Sequence, residues 1–156
     1  MSERTDVLKA HYHLRPHVEG GFFAEVYTAQ AAPGGRPLAG SIYYLLDAGE
    51  VCIFHQLDCD ELYYYHEGCG MKLTVLDGGE VRQLLLGGDV EAGARACVLL
   101  PKGCIFAAEN RERGRYTLVS CMTAPQFAES GYRLIGKDEL RALCPDQYDE
   151  LAHLAR

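Results

Sequence analysis

Short runs of alternating apolar and polar residues, separated by glycine-rich turns, dominate the chain from residue 22 onward. This pattern predicts half-buried β-strands, because successive side chains of a strand point to opposite faces. The predicted strands cover residues 22–27, 41–46, 51–57, 61–66, 71–76, 81–86, 96–100, 104–108 and 116–123. Asp77-Gly78-Gly79 indicates a hairpin between two of them, since glycine tolerates positive φ. Many short strands joined by such turns are typical of an all-β sandwich or barrel.

Helical periodicity is confined to the two ends of the chain. Residues 4–14 place apolar side chains such as Leu8 and Tyr12 at helical spacing, and residues 137–155 return to it with an interruption at Pro145. No linker, repeat or low-complexity tract divides the 156 residues. We therefore expect one domain, residues 1–156, with short helices near both termini.

The segment from Gly49 to Gly68 carries a regularly spaced set of residues. Gly49 is followed by five residues and His55, then by Leu57, three residues and Glu61, then by six residues and Gly68. This spacing resembles the first signature of the cupin superfamily, in which Leu57 occupies the place of a second histidine. The resemblance implies a double-stranded β-helix, that is, a jelly-roll barrel, with His55 pointing into its interior.

A second cupin signature lies downstream. Pro101, Gly103 and Asn110 match it, while Phe106 stands where the pattern has a histidine. Leu57 and Phe106 thus replace two of the four customary metal ligands with hydrocarbon side chains. The spacing indicates the barrel and the place of its pocket, but not what the pocket holds.

Several further blocks resemble one branch of the superfamily, cupin family five, over nearly the whole chain. They are His17-Val18-Glu19-Gly20-Gly21-Phe22-Phe23, Ser41-Ile42-Tyr43-Tyr44-Leu45-Leu46, Phe54-His55-Gln56-Leu57, Asp60-Glu61 and Pro101-Lys102-Gly103. The resemblance implies that Leu57 is a family trait, that the fold is similar to that of sugar-nucleotide epimerases, and that the chain forms a dimer. Ala24 and Tyr63 depart from the Arg and Trp that are usual in this branch.

Composition narrows the possible partners. The net charge of −7 and the pI near 5.3 argue against nucleic acid, which requires a basic surface. No apolar run approaches the roughly 20 residues of a membrane-spanning helix. Seven cysteines without a C-x-x-C pair favour reduced thiols in a cytoplasmic protein over a disulfide framework.

The alternation of strand side chains predicts which residues share the barrel interior. His55 and Leu57 face one way, and Glu61, Tyr63 and Tyr65 share a face on the following strand. We predict that His55 and Glu61 are adjacent and that they form the catalytic centre with Tyr63. A carboxylate beside His55 would favour the imidazolium and fix the ring's orientation. His66 has the opposite parity, which predicts the outer face or an interface.

Ligand-binding positions are expected around this centre. Glu19 beside Gly20-Gly21 is expected to form a lip over the pocket, and Cys104 and Phe106 come from the second-signature strand with matching parity. The full set of expected ligand-binding residues is Glu19, Glu25, Tyr43, Tyr65, Cys104 and Phe106.

No metal and no cofactor are predicted. Neither Leu57 nor Phe106 can donate a lone pair, so a metal on His55 and Glu61 would need a third ligand from elsewhere, such as Glu19 or Glu25. The sequence leaves this third-ligand alternative open.

Two main functional classes agree with these residues. The first is a metal-independent epimerase or isomerase of carbohydrate-like substrates, with His55 as base, Glu61 as its orienting group and a tyrosine as acid. The second is a non-catalytic cupin that binds or senses a small ligand. A metal-dependent enzyme with a reduced ligand set is the remaining alternative. The expected partners are a small molecule and a second copy of the chain.

Overall fold

In the computed structural model, which describes residues 3–31 and 33–156, eleven strands form two antiparallel sheets that face each other. The strands are β1 (Arg15–Pro16), β2 (Phe22–Thr28), β3 (Gly40–Leu46), β4 (Val51–Leu57), β5 (Asp60–Gly68), β6 (Met71–Asp77), β7 (Glu80–Leu86), β8 (Cys97–Leu100), β9 (Ile105–Asn110), β10 (Thr117–Ala124) and β11 (Tyr132–Leu134). One sheet has the order β1-β2-β3-β10-β5-β8 and the other β11-β4-β9-β6-β7. This is a jelly-roll arrangement, and the all-β prediction is confirmed.

The nine predicted strands are all present, with bounds within two residues of those expected. The sequence missed β1 and β11, which are two and three residues long. Such short segments carry no readable alternation. They are strands because β2 and β4 offer free edges to which they hydrogen-bond.

The main core lies between the sheets. Inward side chains from both sheets bury there almost completely, among them Leu46, Leu73, Phe106 and Val119. Each fully buried side chain of this size contributes about 1.5–3 kcal/mol relative to an exposed one. This packing holds the two sheets together and fixes the walls of the space between them.

The terminal helices cover different parts of the barrel. Helix α1 (Glu3–His11) packs Leu8 against Leu45 and Leu118 of the six-stranded sheet. Helices α2 (Lys137–Leu143) and α3 (Tyr148–Leu151), followed by a 3₁₀ turn at Ala152–Leu154, pack on the outer face of the five-stranded sheet. The interruption predicted at Pro145 is confirmed, because α2 ends before it and α3 begins after it.

Asn110 of the second signature has a structural role. Its amide nitrogen lies 3.0 Å from the carbonyl oxygen of Leu46 and 2.9 Å from that of Arg115, and its amide oxygen accepts a hydrogen bond from Thr117. These bonds tie β3, β9 and β10 together at one end of the barrel. Asn110 thus satisfies backbone groups that would otherwise be left unpaired in a protein interior.

Candidate functional site

A cavity of about 770 Å³ opens between the sheets at one end of the barrel. Its wall is largely apolar and aromatic, with Phe23, Ile42, Tyr44, Leu57 and Phe127 among the lining residues. The buried polar residues that line it are Glu19, His55, Glu61, Tyr63 and Thr123. An apolar pocket with a few converging polar groups is the usual form of a small-molecule site.

His55 lies in the cavity wall and is 1 % exposed. Its Nδ1 is 2.8 Å from the carbonyl oxygen of Ile53, which can only accept a hydrogen bond, so Nδ1 carries the proton. In the neutral ring, Nε2 then has a free lone pair. This nitrogen is 3.5 Å from Oε2 of Glu19, and the ring packs against Phe106 with centroids 4.3 Å apart.

A bulge in β4 determines what lies beside His55. Cys52 pairs with Ala108 of β9 and His55 pairs with Phe106, so three steps along β4 match two steps along β9. Residues three apart in a regular strand face opposite ways, but the extra residue puts Cys52 and His55 on the same side. The thiol of Cys52 consequently lies 4.0 Å from Nδ1 of His55 and 3.5 Å from Oε2 of Glu19.

Glu19 reaches the cavity from the loop between β1 and β2. Its carbonyl accepts a hydrogen bond from the amide of Ile53 at 3.2 Å, which joins the loop to the bulge. Gly20 follows with φ of 104°, and its carbonyl accepts a hydrogen bond from the Tyr44 hydroxyl at 2.8 Å. The loop therefore holds the Glu19 carboxylate, 6 % exposed, against the histidine.

Glu61 presents a second buried carboxyl group to the same cavity. It is 8 % exposed, and its Oε2 has no hydrogen-bond partner among the residues that the structure describes. Burial, and then the negative charge of Glu19, raise the pKa of Glu61 well above its usual value. The shift favours the neutral form of the Glu61 carboxyl group, which is the form that can donate a proton.

The direct pair of His55 with Glu61 that the sequence predicts is not formed. The carboxylate within 4 Å of His55 is Glu19, and Glu61 makes no ion pair with the ring. Strand parity correctly places Glu61 and Tyr63 in the cavity wall, but parity cannot measure separation across the barrel. Tyr63 is 3 % exposed, and burial raises the pKa of its phenol, which keeps it protonated.

Four of the expected ligand-binding residues do not line the cavity. Tyr43 lies on the opposite face of β3, where its ring contacts Tyr12 and His66. Tyr65 shares the interior face but donates its hydroxyl to the carbonyl of Gly68. Cys104 and Phe106 are packed in the core, away from the cavity surface. For Tyr65, Cys104 and Phe106 the reason is depth, because side chains on one face of a strand reach different levels of the barrel.

The other two expected ligand-binding residues do line the cavity. Glu19 is at its deep end, while Glu25 is exposed near the mouth and pairs with Arg15 at 3.4 Å. His66 is on the outer face as predicted, with Nε2 2.6 Å from the Ser120 hydroxyl.

Sequence reasoning missed Cys52, Tyr132 and His17. The ring of Tyr132, from β11, lies 5.7 Å from that of His55. His17 lines the cavity, and burial lowers its pKa. A histidine two residues before Glu19 was a signal that could have been used, whereas the bulge that brings in Cys52 has no signal in the sequence.

We expect the raised pKa of Glu61 to appear as a pH dependence of stability. Below the usual pKa of 4.5 the carboxyl is protonated in both states and its contribution is fully present. Above it the unfolded chain releases the proton while the folded chain keeps it, so wild-type stability falls by about 1.4 kcal/mol per pH unit until the folded pKa is passed. Urea unfolding between pH 5 and 8 should therefore show that the free energy of unfolding of Glu61→Gln rises relative to that of the wild type as pH rises.

Glu67→Gln is the control for this pH dependence. A hydrogen bond from Arg4 lowers the pKa of Glu67 to about 2, so its contribution is complete above pH 4.5 and is lost only as pH falls towards 2. The difference between Glu67→Gln and wild type should be constant from pH 5 to 8. An equally constant difference for Glu61→Gln would contradict the neutral form of Glu61.

Comparison with known proteins agrees with this architecture. The family model described as Cupin superfamily (DUF985), Cupin_5, matches residues 7–135. The chain belongs to this family. The resemblance inferred from the sequence is thereby confirmed, and no protein with a curated function matches the chain.

Two solved structures are similar to this cupin over almost their full length. Protein SO0799 from Shewanella oneidensis is 36 % identical with a TM-score of 0.90, covering 97 % of this chain and 96 % of that one. A hypothetical protein from Leishmania major is 26 % identical with a TM-score of 0.85, covering 96 % and 97 %. Oxalate decarboxylase from Bacillus subtilis, 19 % identical with a TM-score of 0.59 over 93 % of this chain and 38 % of that one, shares the fold alone.

The cupin signature positions can now be located relative to the cavity. Leu57 lines the wall beside His55, and the Phe106 ring packs on the imidazole where the superfamily pattern has a third histidine. The signature ligands that remain, His55 and Glu61, are not paired. In the part of the chain that the structure describes, one group of three potential metal ligands converges instead: Glu19, Cys52 and His55, each buried.

No helix among residues 3–31 and 33–156 is long and apolar enough to cross a membrane.

Proposed function

We propose that this cupin is a metal-independent isomerase or epimerase that moves a proton on a small, carbohydrate-like carbonyl compound. One arrangement carries the proposal: the cavity wall holds His55, whose Nδ1 donates to the Ile53 carbonyl and leaves Nε2 as the basic nitrogen, together with buried Glu61, whose raised pKa favours the neutral carboxyl group. Two titratable groups with opposite protonation states are what acid–base chemistry requires near neutral pH.

The proton transfers balance without any further reactant. Nε2 of His55 removes the proton from the carbon next to the substrate carbonyl, and Glu61 donates its proton to the carbonyl oxygen. The product of this step is an enediol. Return of the His55 proton to the neighbouring carbon gives an isomer, and Glu61 regains its proton from the hydroxyl oxygen that becomes the new carbonyl. An epimer forms when the enediol turns over before His55 returns the proton to the other face of the same carbon, and Glu61 then regains its proton from the original carbonyl oxygen.

The surrounding residues support this assignment of roles. The Ile53 carbonyl fixes the tautomer of His55, and Glu19 at 3.5 Å stabilises the imidazolium that forms when Nε2 takes a proton. The Phe106 ring holds the imidazole plane. The phenol of Tyr63 stays protonated and so offers a hydrogen-bond donor to a substrate hydroxyl.

Charge argues for a neutral substrate over a sugar nucleotide. Among the described residues that line the cavity, Arg15 is the one Lys or Arg side chain, and it is paired with Glu25. A diphosphate needs several cationic or backbone donors, and its charge would be repelled by Glu19. Neutral aldoses and ketoses meet neither obstacle.

The proposal is tested by the exchange of sugar hydrogens with deuterium from the solvent. Neutral aldoses and ketoses incubated with chelator-treated protein in D₂O should gain deuterium at the carbon next to the carbonyl, measured by proton NMR. Native mass spectrometry of the purified protein would identify a retained ligand to be used as a further probe. A ligand that binds with no exchange in any probe would overturn the catalytic proposal.

A non-catalytic binding or sensing cupin is the second candidate. Its support is the cavity mouth, where Val18, Tyr27 and Phe127 line the opening although each is at least 37 % exposed. An apolar rim of this kind fits a ligand that is bound for its shape and not turned over. Exchange that requires both His55 and Glu61 would exclude this candidate.

We also propose a homodimer formed through the outer face of the six-stranded sheet. Leu62 and Leu99 are cross-strand neighbours there, as are Tyr64 and Cys97, and Leu99 is 51 % exposed. Tyr64, Cys97 and Leu99 remain exposed on this face, whereas α2 and α3 cover the other sheet. Burial of this apolar strip supports association.

Light scattering should give about twice the monomer mass for the wild type. Leu99→Glu would place a charge in the strip and should shift the protein towards the monomer. Val90→Glu is the control, because Val90 is 74 % exposed in a loop outside the strip. A monomeric wild type would refute the dimer.

We also propose that the protein is cytoplasmic. All seven cysteines are free thiols in the structure, including buried Cys52, Cys104 and Cys121. Reduced thiols without disulfides are the pattern of proteins in reducing compartments.

A further inference from the structure

We propose that Glu19, Cys52 and His55 form a binding site for a thiophilic divalent ion such as Zn²⁺, with one coordination position open to the cavity. The site goes beyond the proposed function, which uses His55 without a metal. It also differs from the ligand positions of the cupin signatures, because Glu19 lies outside both signatures and Cys52 is one of the unspecified residues between Gly49 and His55.

Distances between the donor atoms favour this site. Oε2 of Glu19 is 3.5 Å from both Nε2 of His55 and Sγ of Cys52. One donor atom from each of the three residues can be chosen so that all lie within 4.8 Å of one another. Bonds of about 2.0–2.3 Å to a tetrahedral Zn²⁺ place neighbouring donors about 3.5 Å apart. Two of the contacts therefore already have the required length.

The chemistry of the donors points to the kind of ion. A thiolate with an imidazole is a soft set that selects Zn²⁺ and similar ions over Mg²⁺ or Ca²⁺, which prefer oxygen ligands. Three protein ligands with a fourth position left open is the composition of catalytic zinc sites, in contrast to closed structural sites. Binding replaces the Cys52 thiol proton, which leaves as H⁺ when the sulfur–metal bond forms.

The hydrogen bonds that hold His55 and Glu19 also agree with a metal site. A metal-bound histidine usually donates its other ring N–H to a carbonyl or carboxylate, and Nδ1 of His55 already donates to Ile53. Glu19 is held by the hydrogen bond between its carbonyl and the Ile53 amide. The bulge in β4 thus both places the Cys52 thiol beside His55 and orients the ring, which presents Nε2 for binding.

Metal binding and the proposed proton transfer exclude each other. An ion on Nε2 occupies the lone pair that would accept the substrate proton, so the metal-bound protein should lose base catalysis. A bound ion would itself supply Lewis acidity to a carbonyl oxygen at the open position. The metal state of the protein therefore decides which chemistry this cavity can perform.

The experiment titrates chelator-treated protein with Co²⁺ under a phosphine reductant and without substrate. All proteins carry Cys97→Ser to remove the exposed thiol. We expect one equivalent to bind, with a near-ultraviolet absorption from charge transfer between thiolate and cobalt. Zn²⁺ should displace the Co²⁺ and abolish the band.

Variants separate this site from the catalytic proposal. Cys52→Ser and Glu19→Gln should each weaken Co²⁺ binding by at least about tenfold. Even the loss of a residue that only hydrogen-bonds to a metal ligand lowers metal affinity by about 10- to 100-fold. Cys52→Ser should also lose the charge-transfer band. The buried control Cys104→Ser should bind as tightly as the Cys97→Ser parent.

Two results would overturn the metal site. One is the absence of a charge-transfer band in the Cys97→Ser parent at saturating Co²⁺. The other is an unchanged band in a folded Cys52→Ser variant, which would show that Co²⁺ binds a different thiol. If Cys52→Ser fails to fold, the metal site is still tested by the charge-transfer band of the Cys97→Ser parent and by the Co²⁺ affinity of Glu19→Gln. Failure of the metal site leaves the exchange reaction untouched, because the exchange assay uses chelator-treated protein.

Discussion

Replacing His55 by asparagine should reduce deuterium exchange by about 100- to 10,000-fold, the usual contribution of a general base. The introduced side-chain amide can still donate to the Ile53 carbonyl in place of Nδ1, but it has no equivalent of the Nε2 lone pair. Glu61→Gln should reduce exchange by a similar factor, because glutamine keeps the shape of the side chain and cannot give up the proton. Both variants should remain folded, as judged by circular dichroism and urea unfolding.

Outer-face substitutions are matched controls for these two variants. His66→Asn removes an imidazole from the same sheet as Glu61 but on the opposite face, and Glu67→Gln removes a carboxylate bound by Arg4. Both should exchange the probes at the wild-type rate. If His55→Asn keeps that rate while folded, His55 is not the base.

Gly20→Ala should lower the free energy of unfolding by about 2–4 kcal/mol, from left-handed backbone strain combined with overpacking. Gly20 has φ of 104°, and a Cβ at this position would overlap the carbonyl oxygen of Val51. Relief of that overlap must move the loop away from β4. The movement would carry Glu19 away from His55, so exchange and Co²⁺ binding should both weaken.

Gly49→Ala separates the steric effect from the backbone strain. Gly49 also has positive φ, 80°, but a Cβ there would have nothing within 4 Å. We expect it to cost about 1–2 kcal/mol, from the left-handed conformation alone, with no effect on Co²⁺ affinity. Urea unfolding of both variants checks the difference. Equal losses would mean that close contact with Val51 is not what requires glycine at position 20.

The local sequence determined most of the barrel. Alternation of side chains along a strand and glycines at turns act over a few residues, so nine strands could be delimited without knowledge of the fold. The signature spacing likewise placed His55 and Glu61 in one interior, because strand parity depends only on position along the chain. Helical periodicity and Pro145 were enough to place the terminal helices.

Only the tertiary structure decided which groups in the interior are neighbours. The partner of His55 is Glu19, which comes from a loop 36 residues earlier in the numbering and is held by a backbone hydrogen bond from Ile53. Parity put Tyr65, Cys104 and Phe106 on the inner faces but could not assign their depth in the barrel. The position of Tyr43 was not predicted from strand parity, and the structure places its side chain on the outer face.

The bulge in β4 shows most clearly what the alternation of side chains along one strand cannot predict. Cys52 and His55 are three positions apart, and an unbroken strand would point them to opposite sides. The extra residue is accommodated because β9 pairs with both ends of the irregular segment, a property of two strands about 50 residues apart. The sequence by itself therefore determined the barrel and its interior faces. The contacts between strands decided that a thiol, an imidazole and a carboxylate meet, since register is fixed by pairing and packing across the sheets and not by any one strand.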